Sequence, residues 1–341
     1  MINFKSDYLE GACAEIISRL SDTNFEQTSG YGDDYHTQNA KTLIKKACKR
    51  ENIDVHFLVG GTQTNTTVIA SVLRPFEGVM CADSGHINCH ETGAIEATGH
   101  KVMALPSDNG KITAEQIENY YIACHTDPCY EHIVQPGMVY ISNCTETGGL
   151  YSKKELEEIS RVCKKCSLAL FLDGARLGYA LAAGENDITL SDYAQLCDIF
   201  YIGGTKCGAL FGEAVVIVND AYKKDFRSHI KQRGGMLAKG RLLGIQFEVL
   251  FDGNRYIDIC KSAIDLAMEV REGFAKKGYK FLFPSPTNQQ FPIIPDKKLE
   301  ELSGKYLFEF WSKVDENHTA VRVCTSWATK RENVLALLDE I

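Results

Sequence analysis

The chain has 341 residues, 44% of them hydrophobic and 24% charged, with a formal net charge of −8 at pH 7. This length suits a large α/β domain plus a smaller one, and the composition is that of a chain folded throughout. The acidic balance excludes a nucleic-acid partner, because phosphate-backbone binding depends on clustered lysine and arginine. No apolar stretch approaches the roughly 20 residues that span a bilayer, and the N-terminus lacks signal-peptide features, so we expect a cytoplasmic protein without a membrane partner.

The first two thirds of the chain alternates short apolar strands with helical patterns. After a helix from residue 42, strands are predicted at 55–59, 79–82, 101–105, 138–142, 168–172, 198–202 and 214–218, with helices at 91–98, 114–123 and 153–166. Strands that are apolar on both faces and alternate with helices indicate a mostly parallel sheet covered by helices on both sides.

The last third has a different pattern. Long helices are predicted at 242–250 and 256–277, followed by strands at 279–283, 289–294 and 320–324 and helices near 298 and from 330. We therefore predict a large α/β domain over residues 1–244 and a smaller C-terminal α+β domain over residues 245–341.

Asp173 ends an apolar strand, where open α/β sheets place their ligand sites. Arg176 follows three residues later. One side chain is suited to a cationic ring nitrogen and the other to a substrate carboxylate. The alternative is an ion pair between the two side chains.

Lys206 follows the next apolar strand, in a run of small residues that lets a ligand approach the backbone closely. A lone lysine after glycines is commonly an exposed loop residue. A strand-end aspartate followed about thirty residues later by a strand-end lysine is, however, the order in which Schiff-base cofactor enzymes supply these groups. The pair therefore favours a pyridoxal-type site.

A strand-to-helix turn at residues 60–65 offers backbone N–H groups and a helix dipole to an anion such as phosphate. The turn is neither a Walker loop nor a dinucleotide fingerprint, which argues against ATP and NAD. A plain helix cap by Thr62 is the alternative interpretation.

No metal site is predicted. His86 and His90 have helical spacing but lack an obvious third ligand beyond the adjacent Glu91, and an imidazole can instead stack on an aromatic cofactor or transfer a proton. Thirteen scattered cysteines indicate free buried thiols, and the one close pair, Cys163 and Cys166, has no matching second pair.

Taken together, these motifs resemble the threonine aldolase/β-eliminating lyase group of fold-type I pyridoxal 5'-phosphate (PLP) enzymes over nearly the whole chain. The motifs that carry the resemblance are 6–7, 31–34, 60–63, 83–86, 173–176, 205–206 and Arg322. The resemblance implies a PLP-dependent carbon–carbon lyase that cleaves threonine or a related β-hydroxy amino acid to glycine and an aldehyde. β-Elimination or transamination on the same scaffold, and a non-catalytic descendant of the fold, are the alternatives.

The resemblance also implies roles for individual residues. Lys206 would carry the cofactor, Asp173 would pair with its ring nitrogen and His86 would stack on its ring. Gly61, Thr62 and Thr205 would lie near the phosphate, with Arg176 also counted among the cofactor contacts. Ser6, Arg176 and Arg322 would bind the substrate carboxylate. The family forms homodimers and homotetramers with shared active sites, which Tyr31, Lys239 or Arg241 can reach from a neighbour.

The chain departs from the family pattern at residues 142–149, where threonine aldolases usually carry an active-site histidine. Cys144, Thr145 and Glu146 stand there instead. Leu237 likewise stands where an arginine is usual. These departures leave the catalytic base open, with Glu146 and His90 as candidates.

Overall fold

The computed structural model describes all residues 1–341 and contains thirteen strands and thirteen helices. The strands are β1 (Ile2–Asn3), β2 (Asp54–Leu58), β3 (Glu77–Ala82), β4 (Val102–Leu105), β5 (Gln135–Ser142), β6 (Ala169–Asp173), β7 (Ile199–Gly203), β8 (Glu213–Ile217), β9 (Gln289–Gln290), β10 (Ile293–Pro295), β11 (Tyr306–Leu307), β12 (Glu309–Lys313) and β13 (His318–Cys324). The helices are α1 (Ala14–Asp22), α2 (Tyr35–Ala47), α3 (Gly61–Val72), α4 (His86–Cys89), α5 (Ala114–Thr126), α6 (Lys153–Lys165), α7 (Leu177–Ala182), α8 (Leu190–Leu196), α9 (Phe226–Gln232), α10 (Arg241–Leu250), α11 (Arg255–Lys276), α12 (Asp296–Leu302) and α13 (Arg331–Glu340). No helix has both the length and the apolar character needed to cross a membrane.

Seven strands form the central sheet, in the order β2-β8-β7-β6-β5-β3-β4. The five strands from β7 to β4 are parallel to their neighbours, and β8 runs antiparallel to both β2 and β7. Every residue of β3, β6, β7 and β8 is buried, because helices cover both faces. The predicted mostly parallel α/β fold is confirmed, and all seven sheet strands lie within three residues of their predicted bounds.

Two predicted elements are wrong. The helix at 91–98 is replaced by α4 and a 3₁₀ turn at Glu96–Thr98, because Thr92 and Gly93 between them have left-handed backbone conformations. The strand at 279–283 is reduced to one bridge between Phe281 and Pro292. Prolines at 284 and 286 remove amide donors that a longer ladder would need.

A second, smaller sheet lies toward the C-terminus, where β13 pairs antiparallel with β9, β10 and β12. The N-terminus joins this region, because β1 pairs parallel with β11 and Phe4 packs in an apolar cluster with Val270 and Phe274 of α11. The division at residue 244 stays a prediction, and it falls inside α10.

A buried histidine connects helices α2 and α10. His36 of α2 is 3% exposed, and its Nδ1 lies 2.7 Å from Glu248 Oε2 of α10 while its Nε2 lies 2.8 Å from Glu26 Oε2. Both ring nitrogens can donate only when the imidazole is protonated. Burial lowers the pKa of His36, but the hydrogen bonds to the two carboxylates outweigh it and raise that pKa above its usual range.

We expect this arrangement to make folding stability depend on pH. A group whose pKa is raised by folding contributes fully below its unfolded value of about 6.5, and the contribution is lost as pH rises through the folded pKa. Thermal unfolding should therefore show a melting temperature that falls as pH increases above neutrality, and His36→Gln should flatten that part of the profile. Asn39→Ala, which removes only the amide bonded to Glu248, is the matched control. A wild-type profile identical to that of His36→Gln would contradict the assignment.

Candidate active site

The predicted site residues converge at the carboxyl ends of the parallel strands. Asp173 is the last residue of β6, and Lys206 follows β7 by three residues. A cavity of about 280 Å³ opens there, as expected for an open α/β sheet. Seven residues predicted from the sequence line it: Gly61, Thr62, His86, Asp173, Arg176, Thr205 and Lys206. The structure thus brings most of the predicted constellation into one place.

Asp173 is buried and its carboxylate is held by three donors. Its Oδ2 accepts from the Tyr140 hydroxyl at 2.5 Å and from Asn65 Nδ2 at 3.3 Å, and its Oδ1 accepts from the amide of Ala175 at 2.9 Å. Burial raises the pKa of Tyr140 well above its usual value, so this phenol remains a donor. These three hydrogen bonds fix the orientation of the carboxylate at the cavity wall.

The Lys206 amine makes no hydrogen bond or ion pair with the protein. The centroid of the Tyr8 ring lies 5.9 Å from Nζ. Burial and then the positive charge of Arg176 lower the pKa of Lys206, opposed by Asp7 and Asp173. A buried amine with a lowered pKa is available in its neutral, nucleophilic form.

The turn before α3 presents unpaired amides to the same cavity. Gly60 occupies the N-cap position without a side-chain cap, and the amides of Gly61, Thr62 and Gln63 have no acceptor. A Cβ on Gly61 would lie 3.2 Å from the Tyr201 hydroxyl, so a larger residue would crowd this wall. The alternative of a cap by Thr62 is wrong, because Thr62 is already inside the helix. Free amides at a helix N-terminus suit a phosphate.

Thr205 lines the cavity, but its hydroxyl is engaged within the protein. It donates to Glu213 Oε1 at 2.8 Å and accepts from the amide of Gly212 at 2.9 Å. Burial raises the pKa of Glu213 to about 8, opposed by Thr205 and Lys206. A phosphate contact by Thr205 stays a prediction, and the structure shows that its hydroxyl also closes the loop between β7 and β8.

His86 is oriented by a buried carboxylate. Its Nδ1 lies 2.8 Å from Glu91 Oε1, which also accepts from Asn65 Nδ2 at 2.7 Å. Because Asn65 also reaches Asp173, one amide links the imidazole to the strand-end carboxylate. This link fixes the position of the ring at the cavity wall. The neighbouring His90 is exposed, with its ring centroid 5.8 Å from that of His86.

Arg176 does not pair with Asp173, so the ion pair considered from the sequence is wrong. Its Nε and one terminal nitrogen donate to Asp7 at 2.7 and 3.1 Å, with side-chain exposures of 10% and 0%. Asn288 Nδ2 adds a third donor to Asp7 at 2.9 Å. The Nη1 of Arg176 has no protein acceptor, which leaves one donor group for a ligand.

The other two predicted carboxylate-binding residues lie differently. Arg322 lines a second cavity of about 510 Å³. Five residues line both this cavity and the first one: Tyr8, His86, Glu146, Arg176 and Lys206. Arg322 donates to Gln289 Oε1 at 3.2 Å and to the Lys5 carbonyl at 2.9 Å, while its buried Nε has no partner. Ser6 is buried beside Asp7 and lines neither cavity. Its role as a substrate contact stays a prediction.

Sequence reasoning missed several contacts of the site, among them Tyr140, Glu213 and Asp7. Tyr140 lies within the apolar strand β5, and Glu213 is the first residue of the apolar strand β8. Asp7 was recognised only as part of the motif at residues 6–7. A polar residue inside a strand that is otherwise buried on both faces is the signal that identifies the first two, since such a residue needs an internal partner.

Comparison with known proteins identifies the family. The family model described as β-eliminating lyase matches residues 3–296. The chain belongs to the β-eliminating lyase family. The family match covers both Lys206 and Asp173, together with the helix α3 turn.

Several known proteins are similar to this chain over nearly its full length. A low specificity L-threonine aldolase from Pseudomonas sp. (strain NCIMB 10558) is 29% identical over 342 residues, which cover 99% of this chain and 96% of that protein. A solved structure of a threonine aldolase from Leishmania major has 44% identity and a TM-score of 0.97, covering 99% and 98% of the two chains. An aspartate aminotransferase variant from Thermus thermophilus, at 11% identity and a TM-score of 0.71 over 100% and 90%, shares the fold alone. The fold is that of the fold-type I PLP-dependent enzymes.

Proposed function

We propose that this protein is a PLP-dependent lyase that cleaves threonine or a related β-hydroxy amino acid to glycine and an aldehyde. The observation that carries the proposal is the unpaired amine of Lys206 in the same cavity as the Asp173 carboxylate and the free amides of α3. The similarity to enzymes named as threonine aldolases supports the choice of reaction within the family.

The residues of the cavity fit PLP. Lys206 would bond the cofactor aldehyde, Asp173 would accept from the protonated ring nitrogen, His86 would lie against the ring and the α3 amides would hold the phosphate. When bound, PLP supplies an electron sink for the pair left behind when a bond to the substrate Cα breaks.

The remaining residues would orient the substrate. The free nitrogen of Arg176 and the guanidinium of Arg322 border the two cavities and can hold the substrate carboxylate. A carboxylate held at this place would fix the orientation of the substrate, and this orientation would select which bond to Cα the cofactor acts on. The Asp7 carboxylate keeps Arg176 in place, since it binds two of the guanidinium nitrogens.

A substrate panel tests the proposal. With PLP present, the protein should release an aldehyde and glycine from L-threonine. Ammonia release from serine would instead identify a β-eliminating enzyme, and exchange of alanine with a keto acid would identify an aminotransferase. A protein that takes up no PLP would favour the non-catalytic alternative and overturn the proposal.

Arg322→Ala should mainly weaken substrate capture. A hydrogen bond between charged groups contributes about 1.5–3 kcal/mol, so we expect KM to rise roughly 10- to 150-fold with kcat changed little. Steady-state kinetics with L-threonine measure both constants. Arg331→Ala, which removes an exposed arginine that pairs with Glu269, is the control and should leave KM unchanged. An unaltered KM in Arg322→Ala would exclude a carboxylate-binding role.

We also propose a cytoplasmic homodimer or homotetramer with shared active sites. The exposed apolar side chains Phe25, Tyr31 and Tyr35 support an association surface. Lys239 is exposed and available to a neighbour, whereas the Arg241 guanidinium donates to three carbonyls of its own chain, at residues 23, 24 and 26. Sedimentation velocity measures the number of copies.

A further inference from the structure

Glu146 lines both cavities of the site. The cofactor cavity is the one of about 280 Å³ that contains Lys206 and Asp173, and the outer cavity is the one of about 510 Å³ lined by Arg322. The Oε1 of Glu146 accepts from the Ser142 hydroxyl at 2.8 Å and from the His86 amide at 3.1 Å. Its Oε2 is buried and has no hydrogen-bond partner in the protein. A buried carboxyl oxygen without a partner is costly, and a proton or a donor from a ligand relieves that cost.

The surroundings of Glu146 suit proton exchange. Burial raises the pKa of Glu146, and the negative charge of Asp173 adds to the effect, while the Ser142 hydrogen bond and His86 oppose it. A carboxyl group whose pKa is raised toward neutral pH is a better acid–base catalyst than an ordinary exposed glutamate.

The other candidates near this position are less suitable. The proposed role of His86 is to lie against the cofactor ring, with its Nδ1 bonded to Glu91. His90 is exposed at the outer cavity and does not line the cavity that holds Lys206 and Asp173. Burial raises the pKa of Cys144 to about 12, so its thiolate is absent near neutral pH. The Thr145 hydroxyl donates to the Asn109 carbonyl.

We propose that Glu146 is the base that takes the proton of the substrate β-hydroxyl, an inference that rests on the proposed function. The proton moves from the hydroxyl oxygen to Glu146 Oε2, and the O–H bonding pair becomes the second bond of the aldehyde carbonyl. The Cα–Cβ bond breaks and its electron pair stays with Cα. Cα then takes up one proton as glycine forms, so the reaction balances without an oxidant or reductant.

Glu146→Gln tests the assignment, because it keeps the shape of the side chain and removes its basicity. Loss of a general base lowers kcat by about 10²- to 10⁴-fold. PLP uptake and the exchange of glycine Cα hydrogen with deuterated solvent should persist, since neither needs a hydroxyl to lose its proton. Glu155→Gln is the control, because a glutamine at the N3 position retains the capping box of α6. Glu146→Asp should recover part of the lost activity and shift the pH profile of kcat/KM.

The cofactor-free protein provides a second readout. Infrared difference spectra of wild type minus Glu146→Gln should show a carboxylic acid band that titrates above the range of ordinary glutamates. If Glu146 titrates like an exposed glutamate, or if Glu146→Gln cleaves threonine within about threefold of the wild-type rate, the inference fails. A wild-type protein that releases no aldehyde from any β-hydroxy amino acid overturns the proposed function as well.

Discussion

Lys206→Ala should abolish the visible absorption band of the imine between PLP and the lysine and lower aldehyde release by roughly 10³-fold or more. The amine is the only lysine nitrogen that lines the cofactor cavity, so no other lysine is placed to bond the cofactor. Absorption spectra of the purified protein with added PLP measure the first effect, and steady-state kinetics measure the second.

Borohydride reduction tests the same assignment on a single peptide. In the wild type, reduction should leave the cofactor mass permanently on the peptide that contains Lys206. Lys261→Ala, which removes an exposed lysine of α11, is the control and should behave as the wild type does. Reduced cofactor attached to any other lysine, or a visible band that persists in Lys206→Ala, would show that the cofactor is held elsewhere.

The sequence predicts the sheet well because its signal is local. Strands such as β6 and β7 are buried on both faces, so each is a continuous apolar run, and the residue that ends the run marks the edge of the sheet. Lys206 and Asp173 could therefore be assigned to one site although 33 positions separate them in the numbering. The helix prediction fails where left-handed residues interrupt a helical pattern, as at Thr92.

The partners of the site residues could not be predicted, because they come from distant parts of the chain. Arg176 contacts Asp7 across 169 positions, and Asp7 contacts Asn288 across 281. Spacing near Arg176 suggested Asp173 as the partner instead, since the two are three residues apart. The choice depends on how the N-terminal strand β1 joins the C-terminal region, which no local pattern specifies.

Asp7→Asn should destabilise the protein by about 3–5 kcal/mol, since it leaves the buried Arg176 guanidinium without a counter-charge. Burial alone would raise the pKa of Asp7, but Arg176 and Lys206 hold it far below its usual range. An acid whose pKa is lowered by folding contributes stability above its unfolded value of about 3.9 and loses it as pH falls through the folded value. Denaturant unfolding of Asp7→Asn should therefore show a lower midpoint at neutral pH and a weaker dependence on acid.

Two further variants separate the charge effect from a general loss of packing. Asp265→Asn breaks an exposed pair with Lys261, and such pairs contribute only about 0–1 kcal/mol. Asp7→Leu combined with Arg176→Met replaces the whole buried pair by apolar groups and should recover much of the stability lost in Asp7→Asn. The double variant should still bind substrate poorly, because the free nitrogen of Arg176 is gone. If Asp7→Asn unfolds at the wild-type midpoint, the guanidinium has another counter-charge and the pair does not anchor the carboxylate site.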